Sequence, residues 1–469
     1  MNTTWGEIEH AGLHEIRGPL VLVRGVQGVG WDESVRLRST SGDTRAGTVL
    51  EVDRDLAVVQ VLEGTQGLDL EGTTVGFAGE VLHVPVGDAW LGRVCNGRGE
   101  PLDGGPPVLA GTRAAVGGQP INPTLREPPR DPVMTGVSVV DALTTLVRGQ
   151  KLPVFSVAGL PHLQLATQIA AQASAGDEPF AVVFAAMGLT HADGAAVIDA
   201  LEERSARGEL VLLLNTADDP VIERLLTPRI ALTVAEHLAY AGGRHVLVVM
   251  ADMTSYAEAL REVSAVRGEI PGRRAYPGYL YSDLASLYER CGRIRGLPGS
   301  VTLLPVLTMP AGDITHPVPD LTGYITEGQV VLSPEVHARG IYPPVDPLAS
   351  LSRLMRHGAG AGRTRPDHLD LAAQLLAALS RSRQVRELAE LLGAAALSET
   401  DQQYLDFEGA VEEGLLDQGT TESRSLDDTL DRAWQAVGRL PRRELSALDP
   451  LMVAAHLDVA ADRGVGEEP

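Results

Sequence analysis

The sequence predicts three successive parts: an N-terminal antiparallel β-barrel, a central α/β domain of phosphate-loop type, and a C-terminal α-helical bundle. Three observations predict this order. Short apolar strands recur at close spacing before residue 75, apolar strands alternate with helical stretches from about 134 to 350, and helical periodicity takes over after 356. The corresponding divisions are 1–75, 76–355 and 356–469, the last ending in a flexible tail.

In the first part, Pro19–Arg24, Glu33–Arg38, Gly47–Val52 and Leu56–Leu62 read as strands separated by turn clusters such as Ser41-Gly42-Asp43. The segment from about 97 to 133 is rich in Gly and Pro and reads as a covering loop or linker. In the second part the strand candidates are Leu152–Ser156, Phe180–Ala185, Val211–Asn215, His245–Met250 and Val301–Leu307. Their nearly unbroken Val, Leu and Ala content fits strands covered on both faces of a largely parallel sheet. In the third part, His368 to Leu392 is apolar at helical spacing and stops at Gly393, and Ser425-x-x-Asp428 reads as a capped helix start.

Composition narrows the function. The chain has 469 residues, with 39 Lys+Arg against 62 Asp+Glu, a formal charge of −23. Such a field disfavours nucleic acid as a partner. The only cysteines, Cys95 and Cys291, are too few and too far apart for a disulfide framework and fit a reducing cytoplasm. The N-terminus lacks the basic-then-apolar pattern of a signal peptide, and no run of about 20 apolar residues is present to span a bilayer.

The chemistry begins at a turn. Lys151, the only lysine in the chain, precedes a strand, a turn (Gly159-Leu160-Pro161-His162) and a small-residue helix, Gln164 to Ala173. That is the layout of a nucleotide-phosphate cradle. Such a cradle needs Gly-Lys-Ser/Thr where the helix begins, the lysine for the terminal phosphates and the hydroxyl for magnesium. Here the slot reads Pro161-His162-Leu163. The turn is either a cradle that has lost catalysis or an ordinary strand–turn–helix.

Asp252 ends the apolar strand 245–250, the position that holds magnesium in phosphate-loop enzymes. Without a loop hydroxyl, capping of the helix that starts at Thr254 is the favoured role. A carboxylate to polarise water should follow the Phe180–Ala185 strand, but Ala186-Met187-Gly188 stands there. Arg353, after the turn Ser350-Leu351-Ser352, is either a surface ion-pair partner or a cation aimed across a subunit boundary at a phosphoryl group. The 269–278 run, with Arg273 and Arg274, is a plain connection or a stiff bearing surface.

Taken together, Ile16-Arg-Gly-Pro-Leu20, Leu91-Gly-Arg-Val-Cys-Asn-Gly97, Leu146-Val-Arg-Gly-Gln-Lys-Leu-Pro153, Gly159-Leu-Pro-His162, Thr227-Pro-Arg-Ile-Ala-Leu232, the stretch Pro317 to Gln329 and Ser350-Leu-Ser-Arg-Leu-Met355 resemble the non-catalytic B subunit of V/A-type rotary ATP synthases. The resemblance runs from about Ile16 to Leu440. It implies a RecA-like central domain and a head in which such subunits alternate with catalytic A subunits around a central shaft. Peripheral stalk subunits are further partners, and the membrane ring only an indirect one.

The resemblance also implies that Arg353 is an arginine finger for the A subunit's ATP site. Ser352, Tyr342, Gly159, Leu160, Pro161, His162 and Asp252 are the nucleotide-side candidates, Tyr342 near the base. Arg273 and Arg274 face the shaft cavity. ATP or ADP with magnesium is bound mainly by the A subunit, and this chain alone holds no nucleotide and no metal. The complex sits on the inner, cytoplasmic face of the plasma membrane. The sequence departs from the family at Val157-Ala158 and Leu163, where small Gly/Ser and Asn are usual, and at Ala275, where Gly is usual. The alternatives are an active hexameric phosphate-loop ATPase of a secretion motor, which the missing lysine and carboxylate disfavour, and a hexameric RNA translocase, which the negative charge disfavours.

Overall fold

The computed structural model describes residues 8–393 and 397–458. The expected C-terminal tail beyond 458 lies outside the described residues. The N-terminal part is a seven-stranded antiparallel sheet. Its first and last strands along the hydrogen-bonded path, Ile8–Ala11 and Glu15–Arg17, are joined by only three residues. That short connection forces the two edges together and curls the sheet into a barrel. Glu33–Arg38 alternates buried and more exposed positions. Its inward residues Val35 and Leu37 meet Val21, Val23, Val49, Val59, Val75 and Phe77 in a core of their own.

The four expected barrel strands are present, with Gly47–Val52 lengthened to Thr44–Asp53. A further strand, Thr74–Val81, pairs with Glu33–Arg38 and carries the barrel past residue 75. Its apolar content is broken by three glycine or acidic positions, Gly76, Gly79 and Glu80, which mask its period.

The central sheet has ten strands. From one edge the main path runs through 351–352, 328–331, 154–156, 300–308, 245–251, 180–189, 210–216 and 93–96. The strands from 154–156 to 93–96 pair in parallel, and Leu351–Ser352 joins antiparallel at the edge. Every residue of His245–Ala251 is buried.

The continuous apolar runs are explained by period-two alternation onto two covered faces. Val182, Phe184, Leu247 and Val249 belong to one core, and Val183, Ala185, Val246 and Val248 to the other. The first core continues without a break into the C-terminal helices through Leu371, Leu375, Phe407, Leu430 and Trp434. The second is closed by helices Val221–Glu236 and Met253–Val266.

The C-terminal part is helical, as its periodicity predicts. His368–Leu392 ends at Gly393, whose φ of 85° is left-handed and open to glycine at low cost. Ser425 accepts from the Asp428 N–H and starts Leu426–Val437. A third helix, Glu399–Val411, starts on the same Ser-x-x-Asp pattern, and its acidic first turn is held by a reciprocal Ser398–Asp401 capping box. Among the described residues no helix is long and apolar enough to cross a membrane. Cys95 and Cys291 are buried free thiols, and burial pushes them up to about 11 and about 12.

Candidate functional site

The degenerate loop lies where a phosphate cradle is expected, between strand Val154–Ser156 and helix His162–Gln172. The helix starts two residues earlier than the sequence suggests, so His162 itself occupies the first helical position after Pro161. A cradle works by aiming free backbone N–H groups at phosphate oxygens. Here two of those groups are spent inside the turn: Leu160 N–H donates to the Val157 carbonyl at 3.2 Å, and His162 N–H to the Leu160 carbonyl at 2.9 Å. The His162 ring nitrogen Nδ1 sits 2.9 Å from the same Leu160 carbonyl. Gly159, at φ 90°, keeps the left-handed bend of such turns.

Asp252 caps the Met253–Val266 helix, the role the sequence favours. One carboxylate oxygen accepts from Thr254 N–H at 2.6 Å and the other from the Thr308 hydroxyl at 2.8 Å. Burial raises this carboxyl above the usual range, while those hydrogen bonds and the charge of His162 pull it the other way. Strand Phe180–Leu189 runs four residues past its predicted end. Gly188, at φ 70°, is a strained and crowded place for any side chain, since a Cβ there would meet Arg224 and Ser255 at 3.1 Å. At the strand's end Thr190 caps the next helix by accepting from Asp193 N–H. With the lysine and hydroxyl missing and Asp252 spent on capping, these residues do not fit a magnesium–phosphate group. Among the described residues no cluster of three or more His, Cys, Asp or Glu is placed to hold a metal.

Arg353 sits at the opposite kind of place. It follows the short edge strand Leu351–Ser352, which is annexed antiparallel to Gly328–Val331. Its backbone N–H donates to the Glu327 carbonyl at 3.0 Å. Its exposed guanidinium donates to the Thr326 carbonyl at 3.1 Å and makes no ion pair among the described residues. Ser352, a nucleotide-side candidate, makes its contacts here within the chain. Its hydroxyl is turned into the chain, accepting from Gln150 Nε2 at 2.9 Å and donating to the Thr145 carbonyl at 3.3 Å. Gln150, Thr145, Thr326 and Glu327 therefore form the support of Arg353, and sequence reasoning did not single them out for that role. Gln150 falls in the motif 146–153 and Thr326 and Glu327 in the motif 317–329, with Thr145 just before the first, and nothing in the sequence says that these segments meet.

Tyr342 is half-buried and donates its phenol hydroxyl to Gln168 Oε1 at 2.9 Å, so it contacts the helix of this chain's own loop. Arg273 and Arg274 are partly exposed but paired within the chain, with Asp320 at 3.0 Å and Asp313 at 2.7 Å.

A barrel, a two-faced, largely parallel α/β sheet with a strand–turn–helix loop, and a helical bundle, in this order, are the fold of a three-part nucleotide-binding-type subunit. Three family descriptions match the three parts in order. They are the ATP synthase alpha/beta family β-barrel domain over residues 13–79, the nucleotide-binding domain of the same family over 136–352, and the C-terminal domain of V and A type ATP synthase over 357–457. The B subunit of the A-type ATP synthase from Aeropyrum pernix is 53% identical over 442 residues, which is 94% of this chain and 96% of that protein. Among solved structures, a unique ATP synthase subunit, NeqB, from Nanoarcheaum equitans superposes with a TM-score of 0.71 at 35% identity, covering 90% of this chain and 100% of that one. The chain belongs to the ATP synthase alpha/beta family, among the B subunits of the V/A type. It is thus a component of a multi-subunit ATP synthase.

Proposed function

We propose that this chain is the non-catalytic, regulatory partner in the rotary head, alternating with catalytic A subunits around the central shaft. Its Arg353 would complete the neighbouring A subunit's ATP site. One observation carries this: Arg353 is exposed and has no carboxylate partner among the described residues, yet its backbone is fixed by Glu327. A cation on a rigid mount, free of a counter-ion, can be offered to developing phosphoryl charge without reorganisation. An arginine placed this way contributes about 10³- to 10⁵-fold in rate. ATP with its magnesium is held by the A subunit, and this chain's own loop holds neither.

The role is positional. As the shaft turns, the interface opens and closes, and the distance from Arg353 to the neighbouring phosphate changes with it. The Arg273–Arg274 loop is the candidate bearing surface toward the shaft, and the peripheral stalk contacts the same head. Contact with the membrane ring is indirect, and the complex lies on the inner face of the plasma membrane.

The test is co-assembly with an A-type subunit followed by ATPase assay. Arg353→Ala should lower kcat at least a thousandfold while the complex still assembles. Unchanged turnover by that variant overturns the finger, and turnover by this chain alone overturns the non-catalytic reading.

A further inference from the structure

Lys151 is the one lysine in a chain whose every other basic side chain, histidine aside, is arginine. It is buried, 3% exposed, with Nζ 2.8 Å from Glu327 Oε1 and 3.4 Å from Glu289 Oε1. Lys151 and Glu327 are also joined through the Lys151 backbone: its N–H donates to the Glu327 side chain at Oε2, 2.8 Å, and its carbonyl accepts from the Glu327 N–H at 2.9 Å. Lys151 is itself fixed to the centre of the sheet, because Gln150 and Leu152 on either side exchange backbone hydrogen bonds with Leu303.

The residues that Lys151 holds are those that hold Arg353. The Glu327 carbonyl accepts the Arg353 N–H at 3.0 Å and Gln150 Nε2 at 3.1 Å. The Thr326 carbonyl accepts Arg353 Nη1 at 3.1 Å. Both carbonyls belong to one dipeptide, and the only ion pair of that dipeptide among the described residues is the one to Lys151. The strands pack closely at this point, since a Cβ on Gly328 would lie 2.3 Å from the Leu351 carbonyl.

We propose that Lys151 is a positioning residue for Arg353, transmitting the rigidity of the central sheet through Glu327 to the guanidinium offered to the neighbouring subunit. The proposal rests on the arginine-finger reading of Arg353. It also gives a reason for the one lysine. Two carboxylates, Glu327 and Glu289, converge on a single point, and Glu289 is shared with Arg126 at 2.8 Å. A compact ammonium serves both, whereas a planar guanidinium needs a wider, forked space. Breaking the pair leaves Glu327 without its counter-ion and frees the dipeptide to shift. A displacement of about 1 Å at a reacting centre costs on the order of a hundredfold in rate.

The experiment uses the assembled complex of this chain with an A-type subunit. Lys151→Met should lower kcat about ten- to a hundredfold while KM for ATP stays constant, because nucleotide is bound by the partner. Glu327→Gln keeps the size of the side chain and an acceptor for Lys151 N–H. It should shift kcat the same way by a smaller factor, and it decides the matter if Lys151→Met fails to assemble.

The cycle with Arg353→Lys, which keeps the positive charge, separates positioning from general structure. Lys151→Met combined with Arg353→Lys should be no slower than Arg353→Lys alone. Full kcat in both Lys151→Met and Glu327→Gln, or a fresh tenfold loss in the double variant, overturns the proposal. Full kcat in Arg353→Ala overturns the finger reading instead.

Discussion

Tyr342 Oη donates to Gln168 Oε1 at 2.9 Å, and that contact joins three segments distant in sequence. Gln168 lies on the helix after the degenerate loop and donates its own Nε2 to the carbonyls of Gly419 and Glu422, each at 3.0 Å. The Tyr342 backbone meets the same stretch, accepting from Gln418 N–H at 2.6 Å. The loop helix, the segment leading to Arg353 and the C-terminal bundle thus share one hydrogen-bonded joint.

Tyr342→Phe should weaken that joint. It removes one partly buried hydrogen bond and leaves Gln168 Oε1 short of a donor, a cost of about 1 kcal/mol. The melting temperature of the isolated chain should fall by a few degrees.

Arg290 is fully buried and forks onto Glu236 through Nε and Nη2, both at 2.7 Å, while also reaching the Val116 carbonyl at 3.1 Å and the Thr233 hydroxyl at 2.8 Å. Arg290→Met should destabilise the chain by about 3–5 kcal/mol, because it strands a mostly buried carboxylate and two acceptors. Denaturant unfolding of the purified variant checks this.

Asp141 gives a pH signature. Burial raises its carboxyl to about 6, against hydrogen bonds from Thr135 N–H, the Thr135 hydroxyl and Gly136 N–H. Between the unfolded value of about 4 and about 6, the folded chain keeps a proton that the unfolded chain has lost. The stabilisation is complete below about 4 and is lost as pH rises to about 6, about 2–3 kcal/mol in all. The stability advantage of the native chain over Asp141→Asn should therefore shrink from pH 4 to 6 and stay level above. An advantage independent of pH across that window excludes the titration.

Ala275 sits at φ 64°, directly after Arg274 at φ 53°. A side chain in the left-handed region costs about 1–2 kcal/mol relative to right-handed backbone, and glycine avoids most of that. Ala275→Gly should raise stability by about 0.5–1 kcal/mol after its own entropy cost. Unfolding at equilibrium measures it, and a loss of stability would show that the neighbouring ion pairs already absorb the strain.

Much of this protein is determined by local pattern. The Glu33–Arg38 strand, the His368–Leu392 helix and the Ser425 cap need only neighbours within a few residues, so their periods and caps stand in the sequence. The empty lysine slot at Pro161-His162-Leu163 is equally local, and so is Arg353 as a candidate once its motif is seen. Other features depend on long-range closure. The Thr74–Val81 strand is held by pairing with residues 33–38, and Leu351–Ser352 is a strand only because Gly328 and Gln329 present an edge to it.

The tertiary structure alone decided what the motifs do to one another. The sequence marks Gln150-Lys151 and Thr326-Glu327 in separate motifs but carries no sign of the 2.8 Å pair that joins Lys151 to Glu327, since the contact spans more than 170 residues. It likewise carries no sign that the Ser352 hydroxyl bonds to Gln150 and Thr145, some two hundred residues away. Sequence specifies which groups are available; a buried charge finds its partner only when the sheet brings distant segments together and removes the water that would otherwise satisfy both.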